Sequence, residues 1–198
     1  MQLKDREVQD AIGLFVEHAR ICAETEYDDG RGILGVAAVS TILSCMLTVG
    51  EALARADSGD PTVQPTTKSS ISAFYQEMED RLWLVPPRDR KYNDSDACTL
   101  LAGIRHGLAH AISMPWDAML VPNAQAVQLH SHERWRIVVP DFVGQVHKTL
   151  QRLTQERGDL SLDEVIKKAK RGPVSRQRPG QEGLDQFREA MLSTATSA

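Results

Sequence analysis

With 198 residues, 41% of them hydrophobic and 25% charged, the chain holds enough apolar material for one full core and too little length for two large domains. Aromatic residues make up only 5%, which disfavours an all-β architecture resting on Tyr, Phe and Trp pairs. Three widely spaced cysteines (Cys22, Cys45 and Cys98) and a charged start, MQLKDREVQD, without the apolar run of a secretory signal disfavour a secreted, disulfide-framed protein and lead to the expectation of a cytoplasmic chain with reduced thiols.

Net charge is −4 but unevenly spread: residues 1–60 hold 11 acids against 5 Lys/Arg, and residues 101–198 hold 10 acids against 13 Lys/Arg. The basic second half is compatible with an anionic partner.

In chain order, residues 5–26 predict a first helix, with Val8, Ile12, Phe15, Val16 and Ala19 recurring at helical spacing. After YDDGRG, residues 32–50 run for 19 positions without a charge, long enough to raise the question of a membrane span. Two Ser, two Thr and three Gly dilute the run, and a stripe from Val39 through Ile42, Leu43, Met46, Leu47 and Gly50 continues to Leu53, past Glu51. That pattern predicts the central helix of a soluble bundle and no membrane partner. The same region contains GRGILG at 30–35, a letter match to G-x-G-x-x-G. The dinucleotide motif needs a strand before it to aim helix amides at a pyrophosphate. Here the acidic, helical ETEYDD precedes it, so the match is read as a helix–helix turn.

A polar loop, ADSGDPTVQPTTKSS, leads to a third helix at about 69–83, with Phe74, Met78, Leu82 and the nearby Trp83 on its apolar side. The Asn/Asp/Ser cluster at 93–96 then offers an N-cap for a helix at roughly 96–113, which Pro115 closes. From 126 to 139 the period changes: Val127 and Leu129 alternate on one face and Trp135, Ile137 and Val139 match them across a short turn, predicting a β-hairpin. A helix over about 141–156 carries Phe142, Val146, Leu150 and Leu153. Beyond it lie a capping-box pattern, SLDE at 161–164, six Lys/Arg without an acid between Lys167 and Arg178, and a weak helical pattern at 183–193. The expected fold is mainly α: a bundle of four to five helices with a small β-hairpin insertion over residues 1–157, followed by a helical and basic tail, 158–198.

Chemistry concentrates in the fourth helix. CTLLAGIRHGLAHAISMP, residues 98–115, is apolar but places Arg105, His106 and His110 in its middle, groups that are costly there without a partner or a function. His106 and His110 stand at i, i+4, where two imidazoles can share a metal, and His130 and His132 could add two more. No Glu lies between the helical pair and no cysteine pair assists, so no metal site is assigned. Gln128, His130, Arg134 and Arg136 would share the polar face of the hairpin, either as a solvated surface or as a holder of RNA phosphates.

Arg105 to His110 reads R-H-G-L-A-H, which resembles the R-x4-6-H motif of the HEPN superfamily in its form with Asn, Asp or His directly after the Arg. The order of helices over residues 5–157 agrees with that resemblance. It implies a small helical bundle, usually dimeric, and for many members a metal-independent endoribonuclease of toxin–antitoxin, abortive-infection or CRISPR-associated systems. It further implies RNA as substrate, no cofactor, a homodimer and an antitoxin protein as a further partner. By the resemblance His110 is the base on the 2′-OH, Arg105 stabilises phosphate and His106 positions the site; His130, Arg134 and Arg136 are the expected RNA-binding residues. One branch carries a Tyr two residues after the His as a modification target. This chain has Ile112 there, which puts that control in doubt. Other HEPN domains are non-catalytic modules binding a nucleotide, RNA or a protein. The chemistry suits the residues: unperturbed His titrates near ~6.5, and Arg keeps a planar, charged fork. On an ideal helix, however, Arg105 and His110 fall about 140° apart. The cleft therefore needs either a distortion near Gly107 or a dimer that brings two motifs into one groove.

Overall fold

The structure, a computed structural model, describes residues 3–24, 33–60, 63–111, 113–123 and 133–157. The chain divides into two units, Met1–Val165 and Ile166–Ala198, and every described residue belongs to the first. In order come α1 (Leu3–Glu24), α2 (Ile33–Ser58), α3 (Thr67–Gln76), β1 (Leu84–Val85), α4 (Asp94–Ala111), β2 (Ala118–Val121), β3 (Trp135–Val138) and α5 (Val139–Glu156). The fold is mainly helical with a small sheet, as the periodicity predicts.

The charge-free run becomes α2, the hub on which α1, α3, α4 and α5 all pack. Its length and composition would allow a bilayer crossing. In the bundle, however, Val39, Ile42, Leu43 and Met46 are fully buried, each worth roughly 1.5–3 kcal/mol of removal from water. Gly50 sets the closest approach: a Cβ there would lie 2.0 Å from the Ser70 carbonyl oxygen, so α2 and α3 cross where two small residues meet. On α1 the buried face is Val16, Ala19 and Ala23, with Ile12 beside them. Phe15, expected in that face, is 54% exposed.

The third helix stops earlier than its pattern suggests. Thr66 caps its start, the Oγ1 accepting from Ser69 N at 3.1 Å, and the chain leaves the helix at Glu77. Met78 is buried, but Leu82 turns outward at 84% exposure. Trp83 enters the core from a turn just before β1 rather than from a helix. Its indole lies 4.3 Å from Phe142 and edge-on to Tyr75 at 6.1 Å, while its Nε1 donates to the Asp80 carbonyl at 3.0 Å.

A three-stranded sheet stands where the hairpin was expected, in the order β1-β3-β2. β3 is the central strand: Leu84 pairs antiparallel with Ile137, and Ala118 pairs parallel with Trp135. Both of its edges are thus occupied, and the expected pairing of Trp135, Ile137 and Val139 with the preceding segment is replaced. Val127 and Leu129 lie outside the described residues. All four residues of β3 are buried, which explains why alternation was a poor guide to its faces. The strand runs directly into α5, where Pro140 occupies the first turn, a position that needs no backbone donor. Arg152 fastens α5 to the segment after α3. It donates to the Glu77 carbonyl and pairs with the carboxylates of Glu77 at 3.1 Å and Glu156 at 2.9 Å.

Candidate functional site

α4 begins with a reciprocal cap. Asn93 Oδ1 accepts from Asp96 N at 2.8 Å, and Asn93 Nδ2 donates to Asp96 Oδ2 at 2.8 Å, satisfying a donor that the first turn leaves open. Asp94 and Asp96 also complement the positive end of the helix. From there the sequence sorts residues by angle. Ala97, Cys98, Leu101 and Ile104 are buried against the bundle, with Leu108 half-buried after them. Thr99, Gly103, His106 and His110 are exposed on the opposite side. Burial raises the Cys98 thiol above its ordinary range, which keeps it protonated and a poor nucleophile.

Arg105 stands at the boundary of these two faces. It is half-buried, and its Nε is buried without a hydrogen-bond partner among the described residues. His106 and His110 lie with ring centroids 4.6 Å apart and planes at 51°. The helix runs unbroken from Asp94 to Ala111, so the distortion near Gly107 that would swing Arg105 toward His110 is not what the chain adopts. Gly107 instead lets the following turn fold onto the helix. Ser113 N donates to the Gly107 carbonyl at 3.2 Å, and a Cβ at Gly107 would lie 2.4 Å from Ser113 O. The absent side chain allows the segment 113–117 to lie against the exposed face of α4.

The expected RNA-binding residues separate. Arg134 is exposed at the start of β3. Arg136 is 4% exposed and donates through Nη2 to the Pro86 carbonyl at 2.9 Å. It ties β3 to the end of β1 and is not part of a cationic outer face. The reason is that β3 is buried on both faces as well as paired at both edges. His130, together with Gln128, His132 and the basic run at 167–178, lies outside the described residues. Glu17 and Glu51, the acids on neighbouring helices, are held by arginines one turn away. Glu17 meets Arg20 at 2.6 Å, which holds its carboxyl below the usual range, and Glu51 meets Arg55 at 2.8 Å. Among the described residues no group of three or more His, Cys, Asp or Glu side chains could hold a metal ion.

Of the depressions at the described residues, two bear on the placement of the motif. One, of about 280 Å³, opens between α1, α2 and α5 over Val16, Val49, Leu150 and Leu153 and includes none of the residues of the motif. The other, of about 200 Å³, borders α4 itself, with Thr99, Gly103, Pro115 and Asp117 around it. The second cleft escaped the sequence reading, because its walls come from a helix face, a loop and a strand that only the fold brings together. The one available signal was Trp116, a large aromatic set between Pro115 and Asp117 and 80% exposed. No family model, curated protein or solved structure matches the chain.

Proposed function

We propose that the chain is a HEPN-type endoribonuclease that cuts RNA without a metal, as a homodimer in the cytoplasm, in a toxin–antitoxin or phage-defence setting with an antitoxin protein as partner. One observation carries the reading. A single unbroken helix presents two exposed imidazoles 4.6 Å apart, next to a half-buried arginine whose Nε has no partner among the described residues. The guanidinium stays charged and offers a phosphate a planar fork of donors.

In this mechanism His110 takes the proton of the 2′-OH. The 2′-oxygen attacks the adjacent phosphorus, the P–O5′ bond breaks, and a 2′,3′-cyclic phosphate remains on one product while the 5′-oxygen of the other is protonated. Arg105 compensates the charge that builds on the phosphorane oxygens, and His106 holds the substrate backbone in register. Removal of a general base of this kind costs about 10²–10⁴-fold in rate.

The test is cleavage of a mixed RNA in EDTA by the purified protein, wild type beside His110→Ala, with analysis of the product ends and of oligomeric state. Cutting by wild type alone, with cyclic phosphate ends, is the expected result. A protein that stays monomeric and cuts nothing at any salt concentration refutes the proposal. A second reading is favoured by the separation of Arg105 from His110 around the helix: a non-catalytic HEPN-like module that binds RNA, a nucleotide or a protein. It predicts ligand binding that His110→Ala leaves unchanged, with no cleavage by either form.

A further inference from the structure

The register of the sheet gathers several groups at one end. β2 and β3 run parallel and therefore begin at the same end, while β1 runs antiparallel and finishes there. Trp116 and Asp117 precede β2, Arg134 precedes β3, and the loop with Arg88, Arg90 and Lys91 follows β1. All of these except Asp117 are exposed, and Asp117 is half-buried. Trp135 N donates to the Asp117 carbonyl at 2.8 Å and Ala118 N to the Pro115 carbonyl at 3.1 Å, so the segment that displays Trp116 is anchored on both sides.

This end of the sheet opens into the cleft beside α4. Trp135 and Leu100 are apolar parts of its lining, and Arg90, Asp96, Thr99 and Asp117 supply polar groups. Asp96 is already engaged with Asn93, which leaves Asp117 as the carboxylate open to a ligand. Thr99 and Gly103 share the exposed face of α4 with His106 and His110. By helical rise Gly103 precedes His106 by roughly 4.5 Å and His110 by roughly 10.5 Å along the axis. The cleft and the imidazoles thus lie along one line on the surface of one helix.

We propose that this cleft, with the exposed Trp116 between two of its lining residues, Pro115 and Asp117, receives one base of a single-stranded RNA and selects bases that carry an amino group over uracil. The proposal rests on the ribonuclease reading and gives it a subsite. An exposed indole is a stacking platform that any base can use, and Arg90 with Arg88, Lys91 and Arg134 would draw in the flanking phosphates. Asp117 supplies the discrimination. A carboxylate accepts hydrogen bonds and does not donate them, so it pairs with an exocyclic amine, as it does with the cytosine amino group. At the same edge uracil presents a carbonyl oxygen, which the carboxylate repels.

Oligo(C) and oligo(U) of equal length test this, because they share ring size and differ at that edge. Binding is measured in the His110→Ala background at low salt, through the anisotropy of fluorescein-labelled oligonucleotides, a signal that does not depend on Trp116. The expected result is saturable binding with oligo(C) preferred by about 10-fold, a preference that Asp117→Asn reduces towards parity because an amide both donates and accepts. Trp116→Ala should weaken both ligands by about 10-fold, and Trp116→Phe should restore most of the loss. A circular dichroism spectrum and melt unchanged from the parent exclude misfolding as the cause. If Trp116→Ala and Asp117→Asn bind RNA as the His110→Ala parent does, and in the wild-type background cleave it as wild type does, the base site is wrong and the ribonuclease reading stands. If the wild type neither binds nor cuts RNA, the ribonuclease reading fails and the base site with it.

Discussion

Replacing Arg105 with Met removes a charge while keeping a long apolar stem at the edge of the α4 core. The folded state leaves Arg105 Nε buried with no hydrogen-bond partner among the described residues, a desolvation worth about 1–3 kcal/mol. The rest of the guanidinium is not so buried, so only part of that penalty is recovered. Arg105→Met should therefore be as stable as wild type or more stable by up to about 1–2 kcal/mol, which for a domain of this size is a rise in Tm of at most roughly 8 °C. Leu101→Ala, at a fully buried position one turn earlier, should instead cost about 2–5 kcal/mol. Urea denaturation followed by circular dichroism, with the m-values compared, measures both; RNA cleavage by the same samples should be lost in Arg105→Met. A loss of more than about 2 kcal/mol in Arg105→Met would refute the reasoning, since it would mean that the fold itself depends on the guanidinium. Stability gained with activity lost is the signature of a residue kept for its ligand.

Gly50→Ala should destabilise by about 1–3 kcal/mol or more, because its Cβ would meet the Ser70 carbonyl at 2.0 Å; Gly144→Ala, with nothing within 4 Å inside α5, should stabilise by about 0.5–1 kcal/mol. A thermal melt of the two variants checks the contrast. Arg136→Met should cost about 1.5–3 kcal/mol by removing a charged donor from the Pro86 carbonyl, yet leave the affinity for RNA unchanged, which a filter-binding titration reads. Burial pushes the Cys45 thiol up to about 11, above its value in the unfolded chain. Its contribution is thus fully present below about pH 9 and is lost as pH rises towards 11, because the unfolded state releases the proton first. Urea titrations at pH 8 and near pH 11 should therefore show a fall that Cys45→Ala makes shallower; Cys98, raised by burial in the same sense, accounts for part of what remains.

What the sequence revealed and what it hid follow from how far each signal reaches. Apolar stripes repeat every helical turn, so α1, α4 and α5 could be placed within a few residues and the core side chains Ile42 and Phe142 named correctly. The end of α3 is hidden because Leu82 and Trp83 continue the apolar composition after the helix has stopped at Gln76; composition does not record a change of backbone. The sheet was the weakest part, since strands of two and four residues are too short for periodicity to declare. Arg136 was assigned to a surface for the same reason: alternation predicts an outside only when one face of a strand is open. The motif on α4 was legible as letters. The cleft beside it was not, because Arg90, Asp117 and Trp135 are distant in the chain and meet only through the register of β1, β2 and β3.

The angle around α4 makes a sharper demand than the motif. Arg105 and His110 lie about 140° apart on a straight helix, so an RNA backbone resting against one chain meets one of them and not both. A two-fold axis removes the difficulty, because an isologous contact brings the same patch of each chain to the axis, and the Arg105 of one protomer can face the His110 of the other. This arrangement has a countable consequence. On the proposed reading Arg105→Ala and His110→Ala homodimers should each be inactive, whereas a heterodimer would keep one intact site of two, built from the His of one chain and the Arg of the other. Random reassortment makes heterodimers half of the mixture, so activity should return to about a quarter of wild type at equal total protein. Separately tagged subunits establish that heterodimers have formed, and cleavage of RNA in EDTA measures the recovery. A mixture rich in heterodimers that stays silent would place Arg and His of each site on the same chain, and α4 would then have to bend at Gly107 when RNA binds.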